Sequence, residues 1–151
     1  MSTALNIAHA PAFASAKPAR GLSIALWIVQ ILLALIFGFA GAMKVFTPIE
    51  ELAKNAAWIR DSEFLIRFIG ISELSGALGM LLPSLTRIKP KLTSLAAVGL
   101  FTIMVLATGF HLMRGEAKFT PMTLAIGALA AFVAWGRFRK APISARTAGT
   151  K

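Results

Sequence analysis

Long apolar stretches separated by short polar segments dominate the pattern of residues along the chain. Three of them, at 21–43, 92–113 and 119–136, contain no acidic or basic residue apart from His111 near the end of the second. A helix needs about 20 mainly apolar residues to cross the roughly 30 Å hydrocarbon core of a bilayer. Each of these stretches therefore predicts a transmembrane helix.

A fourth span is predicted at 64–83, although it contains two charged residues. Arg67 lies about one turn from its start, where its side chain could extend to the lipid headgroups. Glu73 lies near its middle. Without this span, the basic segments of the chain would not all fall on one side of the membrane. Pro83 is predicted to end it.

The segment between the first two spans predicts a short helix at about 48–60. Its apolar residues fall on one stripe, and most of its charged residues lie off that stripe. These apolar residues are Ile49, Leu52, Ala53, Ala56 and Ile59. This pattern is typical of an interfacial helix or a cap over a bundle. A solvated helix is an equally open alternative.

Composition supports a membrane protein and excludes several other classes. Hydrophobic residues make up 57% of the 151 residues and charged residues 15%, against roughly 25% charged in ordinary globular domains. The chain has no cysteine, which excludes disulfides and thiolate metal sites. It has two histidines, and His9 lies in the N-terminal tail, so no haem, two-metal or other metal site is predicted.

The charges predict the orientation of the four spans. The net charge is +10, and with four spans ten basic residues and no acidic residue fall on the side of both termini. These ten are Lys17, Arg20, Arg87, Lys89, Lys91, Arg137, Arg139, Lys140, Arg146 and Lys151. The positive-inside rule places that side in the cytoplasm. Because the bases are scattered at the ends of spans, no nucleic-acid partner is predicted. Residues 1–20 and 141–151 are predicted to be flexible cytoplasmic tails, the second of them basic.

Glu73 is the most informative residue in the pattern, because a bare charge at mid-membrane costs at least about 2.5–3.5 kcal/mol. It should be protonated, paired or in contact with water. Lys44, His111 and Arg114 are the candidate partners, and we expect an outward-facing polar pocket lined by Lys44, Glu73 and His111. The alternative is an ion pair that fixes the packing of helices and binds nothing. Gln30 is predicted to join helices through hydrogen bonds.

Four segments carry a resemblance to a known family. They are FAGAMK at 39–44, ISELSGALGMLLP at 71–83, Ala107 and His111 followed by RGE at 114–116, and WGR at 135–137. In this order they resemble the DoxX-like family of small four-span bacterial membrane proteins, from about residue 21 to 137. The chain departs mildly from the family's pattern at Val45, where leucine is frequent.

The resemblance implies an all-α protein of the bacterial inner membrane, an antiparallel four-helix bundle with Lys44, Glu73 and His111 at the matched polar positions. Founding members are associated with a thiosulfate:quinone oxidoreductase. The implied function is therefore a quinone-associated or accessory subunit of a redox or stress system, with quinone as a non-covalent ligand. Its partners would be the lipid bilayer and another membrane protein or a second copy.

The sequence contains no catalytic motif of its own, so an enzymatic function would at most be that of a membrane subunit of an oxidoreductase. Two other functions stay open at this point. One is a small proton-coupled transporter in which Glu73 titrates. The other is a structural or assembly protein that binds no ligand.

Overall fold

A computed structural model of the chain describes residues 20–146, which are helical except for short connections and the last few residues. The α-helices are α1 (Arg20–Phe46), α2 (Ile49–Ala53), α3 (Glu63–Thr86), α4 (Lys91–Met113) and α5 (Thr120–Trp135). Single 3₁₀ segments at Ala57–Ser62 and Ala117–Phe119 precede α3 and α5, and a π-helical turn at Gly136–Lys140 continues α5. The predicted tail at 1–20 falls outside the described residues, except for Arg20.

Helices α1, α3, α4 and α5 form an antiparallel bundle. Each is part of a segment long and apolar enough to cross a membrane. Each packs against the next along the chain, and α5 returns to contact α1. The predicted all-α four-helix membrane bundle is confirmed. We call the end where α1 and α4 begin the basic end, and the opposite end, which carries all six acidic residues, the acidic end.

Large apolar side chains cover the outside of the bundle as well as its centre. Leu35, Phe39, Phe68 and Leu106 are each more than half exposed. The core is formed by Leu33, Phe37, Met80, Leu100 and Val133, with smaller residues between them. An apolar exterior of this extent is expected where lipid, rather than water, surrounds the helices.

Two element boundaries differ from the sequence prediction. Helix α3 continues about one turn beyond Pro83 and ends at Thr86, and the next residue, Arg87, has a left-handed backbone (φ 59°). Proline deprives the carbonyl four residues earlier of its helical donor, but the final turn is held by Thr86, whose Oγ1 donates to the Leu82 carbonyl at 2.7 Å. The helix predicted at 48–60 is divided, since extended backbone at Ala56 (φ −159°) separates α2 from the 3₁₀ segment.

Helices α1 and α3 approach each other backbone to backbone at two glycines. A β-carbon on Gly41 would lie 2.7 Å from the carbonyl oxygen of Gly70. A β-carbon on Gly70 would lie 2.8 Å from the β-carbon of Lys44. Small residues permit this approach. Such close packing holds the helices together in lipid, where the hydrophobic effect does not drive their association.

We expect Gly70→Ala to destabilise the bundle, because the added methyl group would collide with the stem of Lys44. The expected loss is about 1–3 kcal/mol, the usual cost of overpacking. Gly99→Ala is the matched control, since it also lies within a long helix but a β-carbon there would meet nothing within 4 Å. Thermal unfolding in detergent would measure both variants. Equal melting temperatures for the two variants would contradict the close contact.

Candidate functional site

Lys44 and Glu73 form an ion pair between α1 and α3. Lys44 Nζ lies 2.7 Å from Glu73 Oε2 and 3.0 Å from Oε1. The Glu73 side chain is 4% exposed and that of Lys44 is 28% exposed. Each residue follows its contact glycine by three positions, so the approach at Gly41 and Gly70 brings the two charges together. The Glu73 side chain is therefore buried, while the Lys44 side chain is partly exposed.

Arg67 binds the last carbonyl groups of α1 beside this pair. Its Nη1 lies 2.7 Å from the carbonyl oxygen of Lys44, 3.0 Å from that of Val45 and 2.8 Å from that of Thr47. Its Nη2 also contacts Glu63 at 3.3 Å. The terminal carbonyls of a helix have no intrahelical partner and carry partial negative charge, so a guanidinium group there is favourable. The side chain thus caps a neighbouring helix, whereas the sequence suggested that it extends to the headgroups.

His111 and Arg114 belong to a second polar cluster at the acidic end. His111 Nδ1 lies 2.8 Å from Oε2 of Glu116, and Arg114 Nε donates to Oε1 at 3.2 Å. The Arg114 guanidinium group also lies 4.9 Å from the ring centre of Trp58, a cation–π distance. Trp58 in turn packs against Phe110. This cluster fastens the segment after α2 to the end of α4.

The structure therefore divides the predicted site residues into two groups. Lys44 and Glu73 contact each other, whereas His111 and Arg114 both bind Glu116. Within residues 20–146, no hydrogen bond or ion pair joins one group to the other. The same residues contain no cluster of histidine and carboxylate side chains that could hold a metal ion.

A shallow groove of about 390 Å³ runs along α1 at the acidic end. Its lining is mainly apolar and is formed by Phe39, Ala42, Met43, Phe46, Thr47, Pro48 and Glu51. Lys44 follows Met43 in the sequence but does not line the groove. The groove faces outward, since Phe39 and Phe46 are both more than two-thirds exposed.

A third polar network is buried at the basic end. Gln30 donates through Nε2 to the Met80 carbonyl at 3.0 Å and to the Ser84 hydroxyl at 3.2 Å. The Ser84 hydroxyl also lies 2.7 Å from that of Thr93. Arg137 donates through Nε to Gln30 Oε1 at 2.6 Å. The prediction that Gln30 joins helices is confirmed, and the network connects α1, α3, α4 and the π-helical turn that continues α5.

Sequence reasoning missed the burial of Arg137, which is 5% exposed. The residue directly follows the predicted fourth span, a position where a basic side chain ordinarily reaches the headgroups. One signal was present in the sequence: Gln30, a polar residue with two donors and an acceptor, lies ten residues inside the first span and required a partner.

Lys44→Met should destabilise the protein strongly, because it leaves the buried Glu73 carboxylate without its partner. Removing one member of a buried ion pair usually costs about 3–5 kcal/mol. The double variant Lys44→Met/Glu73→Leu should recover most of this loss, since no unpaired charge remains. Lys54→Met is the control, because Lys54 is 74% exposed and 3.9 Å from Glu51, and exposed pairs contribute at most about 1 kcal/mol. Additive losses in the double variant would contradict the pairing.

The His111–Glu116 cluster should stabilise the protein less as the pH falls. The hydrogen bond from His111, and then that from Arg114, lowers the pKa of the Glu116 carboxyl below its ordinary value. Folding therefore favours the ionised carboxylate. Its contribution to the stability of the protein is complete above the ordinary pKa of about 4.3 and is lost as the pH falls through the lowered pKa.

The measurement is the difference in melting temperature between the unsubstituted protein and Glu116→Gln, from about pH 6 to about pH 3. The difference should shrink toward zero with falling pH. Glu50→Gln is the matched control, since Glu50 is exposed on α2 and makes no ion pair among residues 20–146. A difference that grows on acidification would contradict the assignment.

Comparisons with known proteins assign the chain to a family. Residues 28–133 match the DoxX-like family, a range that contains the four segments on which the resemblance rests except for the WGR at 135–137. In the comparisons with curated proteins and with solved structures, nothing matched the chain. The matched range covers more than half of the sequence and includes Lys44, Glu73, His111 and Arg114. The chain belongs to the DoxX-like family.

Proposed function

We propose that the protein is an accessory membrane subunit of a redox or stress system, and that its acidic end binds a quinone. The observation that carries the proposal is an unused hydrogen-bond donor on the Lys44 ammonium group. An ammonium group has three donors, and within residues 20–146 its Nζ contacts only the two oxygens of Glu73. One proton is left for an acceptor from outside the chain.

A quinone offers the matching chemistry. Its carbonyl oxygens accept hydrogen bonds, and its ring and isoprenoid chain dissolve in the bilayer. Lys44 is 28% exposed at the end of a span, so its side chain is partly accessible to a ligand that moves through the membrane. The apolar groove on α1 does not include Lys44 in its lining and is not part of the proposed site.

The neighbouring residues favour a fixed donor at this position. Glu73 holds the ammonium group through two hydrogen bonds, and Arg67 holds the backbone of Lys44 through its carbonyl. A donor held in place loses less conformational entropy when a ligand binds. With both termini in the cytoplasm of a bacterial cell, as the charges indicate, the quinone would bind on the outer side of the inner membrane.

A structural function is the second candidate, and one observation favours it. The ion pair lies directly beside the closest contact between α1 and α3, where it would fix the packing of these helices even without a ligand. The two functions differ in what they predict for binding. A structural pair affects stability alone, whereas a quinone site also loses affinity when the donor is removed.

The test is the binding of a short-chain ubiquinone analogue to the full-length protein in detergent, followed by quenching of tryptophan fluorescence. We expect saturable binding that weakens about 10- to 150-fold in Lys44→Met/Glu73→Leu, since loss of one hydrogen bond to a charged group costs about 1.5–3 kcal/mol. The double variant is used because it leaves no unpaired charge. Each melting temperature is measured in parallel, so that loss of binding is separated from loss of folding.

Lys118→Met is the matched control, because Lys118 is exposed at the same end and lies against the ring of Phe119. Its affinity for the analogue should equal that of the unsubstituted protein. Failure of the unsubstituted protein to bind the analogue would overturn the proposal. Equal affinity in the double variant would do so as well, and would leave the structural function as the explanation of the pair.

A further inference from the structure

The guanidinium group of Arg137 is buried at the basic end, but its hydrogen bonds are incomplete. Nε donates to Gln30 at 2.6 Å, and Nη1 donates to the Ala141 carbonyl at 3.3 Å. Its Nη2 is buried and has no hydrogen-bond partner within residues 20–146. The ring centre of Trp27 lies 5.3 Å from the guanidinium carbon. Both oxygen partners are neutral, so the network does not neutralise the charge.

No carboxylate of the bundle can serve as the counter-ion. All six acidic residues of the sequence lie toward the acidic end, on α2, in the 3₁₀ segment that follows it, on the first half of α3 or between α4 and α5. The basic end instead carries further cations, among them Arg87 and Arg139. A buried charge is ordinarily paired, and here the missing charge is negative.

Arg137 also lines a cavity of about 390 Å³ at this end of the bundle. Hydroxyl groups and a second guanidinium group share the lining: Ser23, Ser84, Ser144 and Arg87. Residues 141–144 close one side, and the Arg146 amide donates to the Arg87 carbonyl at 3.1 Å. The first residues of the segment predicted as a tail therefore contact the bundle and complete the cavity wall.

We propose that this cavity binds a phosphate-type oxyanion through Arg137 and Arg87. Guanidinium groups match phosphate in charge and geometry, and serine hydroxyls donate to its remaining oxygens. Arg137 lines the cavity, and its Nη2 is a donor without a partner within residues 20–146. This site is separate from the proposed quinone site, which lies at the other end of the bundle, and neither proposal depends on the other.

Two sources could supply this oxyanion, a lipid headgroup or a free anion. The cavity lies where the predicted spans meet one face of the membrane, so a headgroup phosphate reaches the same depth. Basic residues at the membrane surface attract anionic lipids. The experiment therefore has one arm for each source.

The free-anion arm measures the melting temperature of the full-length protein in neutral detergent, with sodium phosphate titrated against sodium chloride at equal ionic strength. A ligand that binds only the folded protein raises this temperature as its concentration rises. The lipid arm compares nanodiscs of phosphatidylcholine with nanodiscs that also contain phosphatidylglycerol. We expect stabilisation in at least one arm, and the arm that responds identifies the source.

The variants assign the effect to the cavity. Arg137→Gln and Arg87→Asn should each lower the affinity for the stabilising ligand about tenfold, as loss of a charge-assisted hydrogen bond predicts. Asparagine is chosen at Arg87 because it tolerates the left-handed backbone there, and this variant leaves the Gln30 network intact should Arg137→Gln fail to fold. Arg139→Gln is the matched control, since Arg139 is exposed two residues from Arg137. Absence of stabilisation in both arms, or an equal response in Arg87→Asn and Arg139→Gln, would overturn the proposal.

Discussion

The backbone contact between α1 and α3 determines how charge can be accommodated in this bundle. Only glycine at positions 41 and 70 allows the two helices to come this close, and the contact sets Lys44 opposite Glu73. A wider separation would leave a carboxylate in an apolar interior without its cation. The binding of Arg67 to the last carbonyls of α1 depends on the same spacing, because that side chain also reaches across from α3.

Polar side chains have different kinds of partner at the two ends of the bundle. At the acidic end, cations contact carboxylates: Lys44 contacts Glu73, and Arg114 contacts Glu116. At the basic end, amide, hydroxyl and carbonyl groups surround Arg137 and supply hydrogen bonds but no opposite charge. The acidic end is therefore nearly neutral, whereas the basic end has excess positive charge both inside and outside the bundle. This asymmetry is why the two ends would attract ligands of different chemistry.

Much of the fold could be predicted from the sequence, because the need to bury backbone polar groups in lipid leaves few solutions. The spans follow from the lengths of the apolar stretches, and Glu73 had to find a partner. Lys44 lies near the end of α1 and Glu73 near the middle of α3, and the long lysine side chain covers that difference in depth. The separation of His111 from Glu73 could not be predicted, because it depends on the rotation of α4 and on the loop that carries Glu116. Hydropathy specifies depth but not rotation.

The cap made by Arg67 could not be predicted either, and only the need of Gln30 for a partner pointed to the burial of Arg137. Each depends on the path of the backbone at the end of a helix. The DoxX-like sequence segments specify the residue types there but not that path.

The π-helical turn at Gly136–Lys140 has a consequence for how the basic end could change between related sequences. Such a turn is equivalent to one extra residue inserted into an α-helix, and it is frequent at functional positions. In this wider turn Arg137 lies inside the bundle, while Arg139 and Lys140 remain outside. A single-codon insertion or deletion there would rotate the residues that follow it about the helix axis, and so change which side chain faces Gln30 without altering any other span. Relatives with and without that codon would then differ in the chemistry of one membrane face alone.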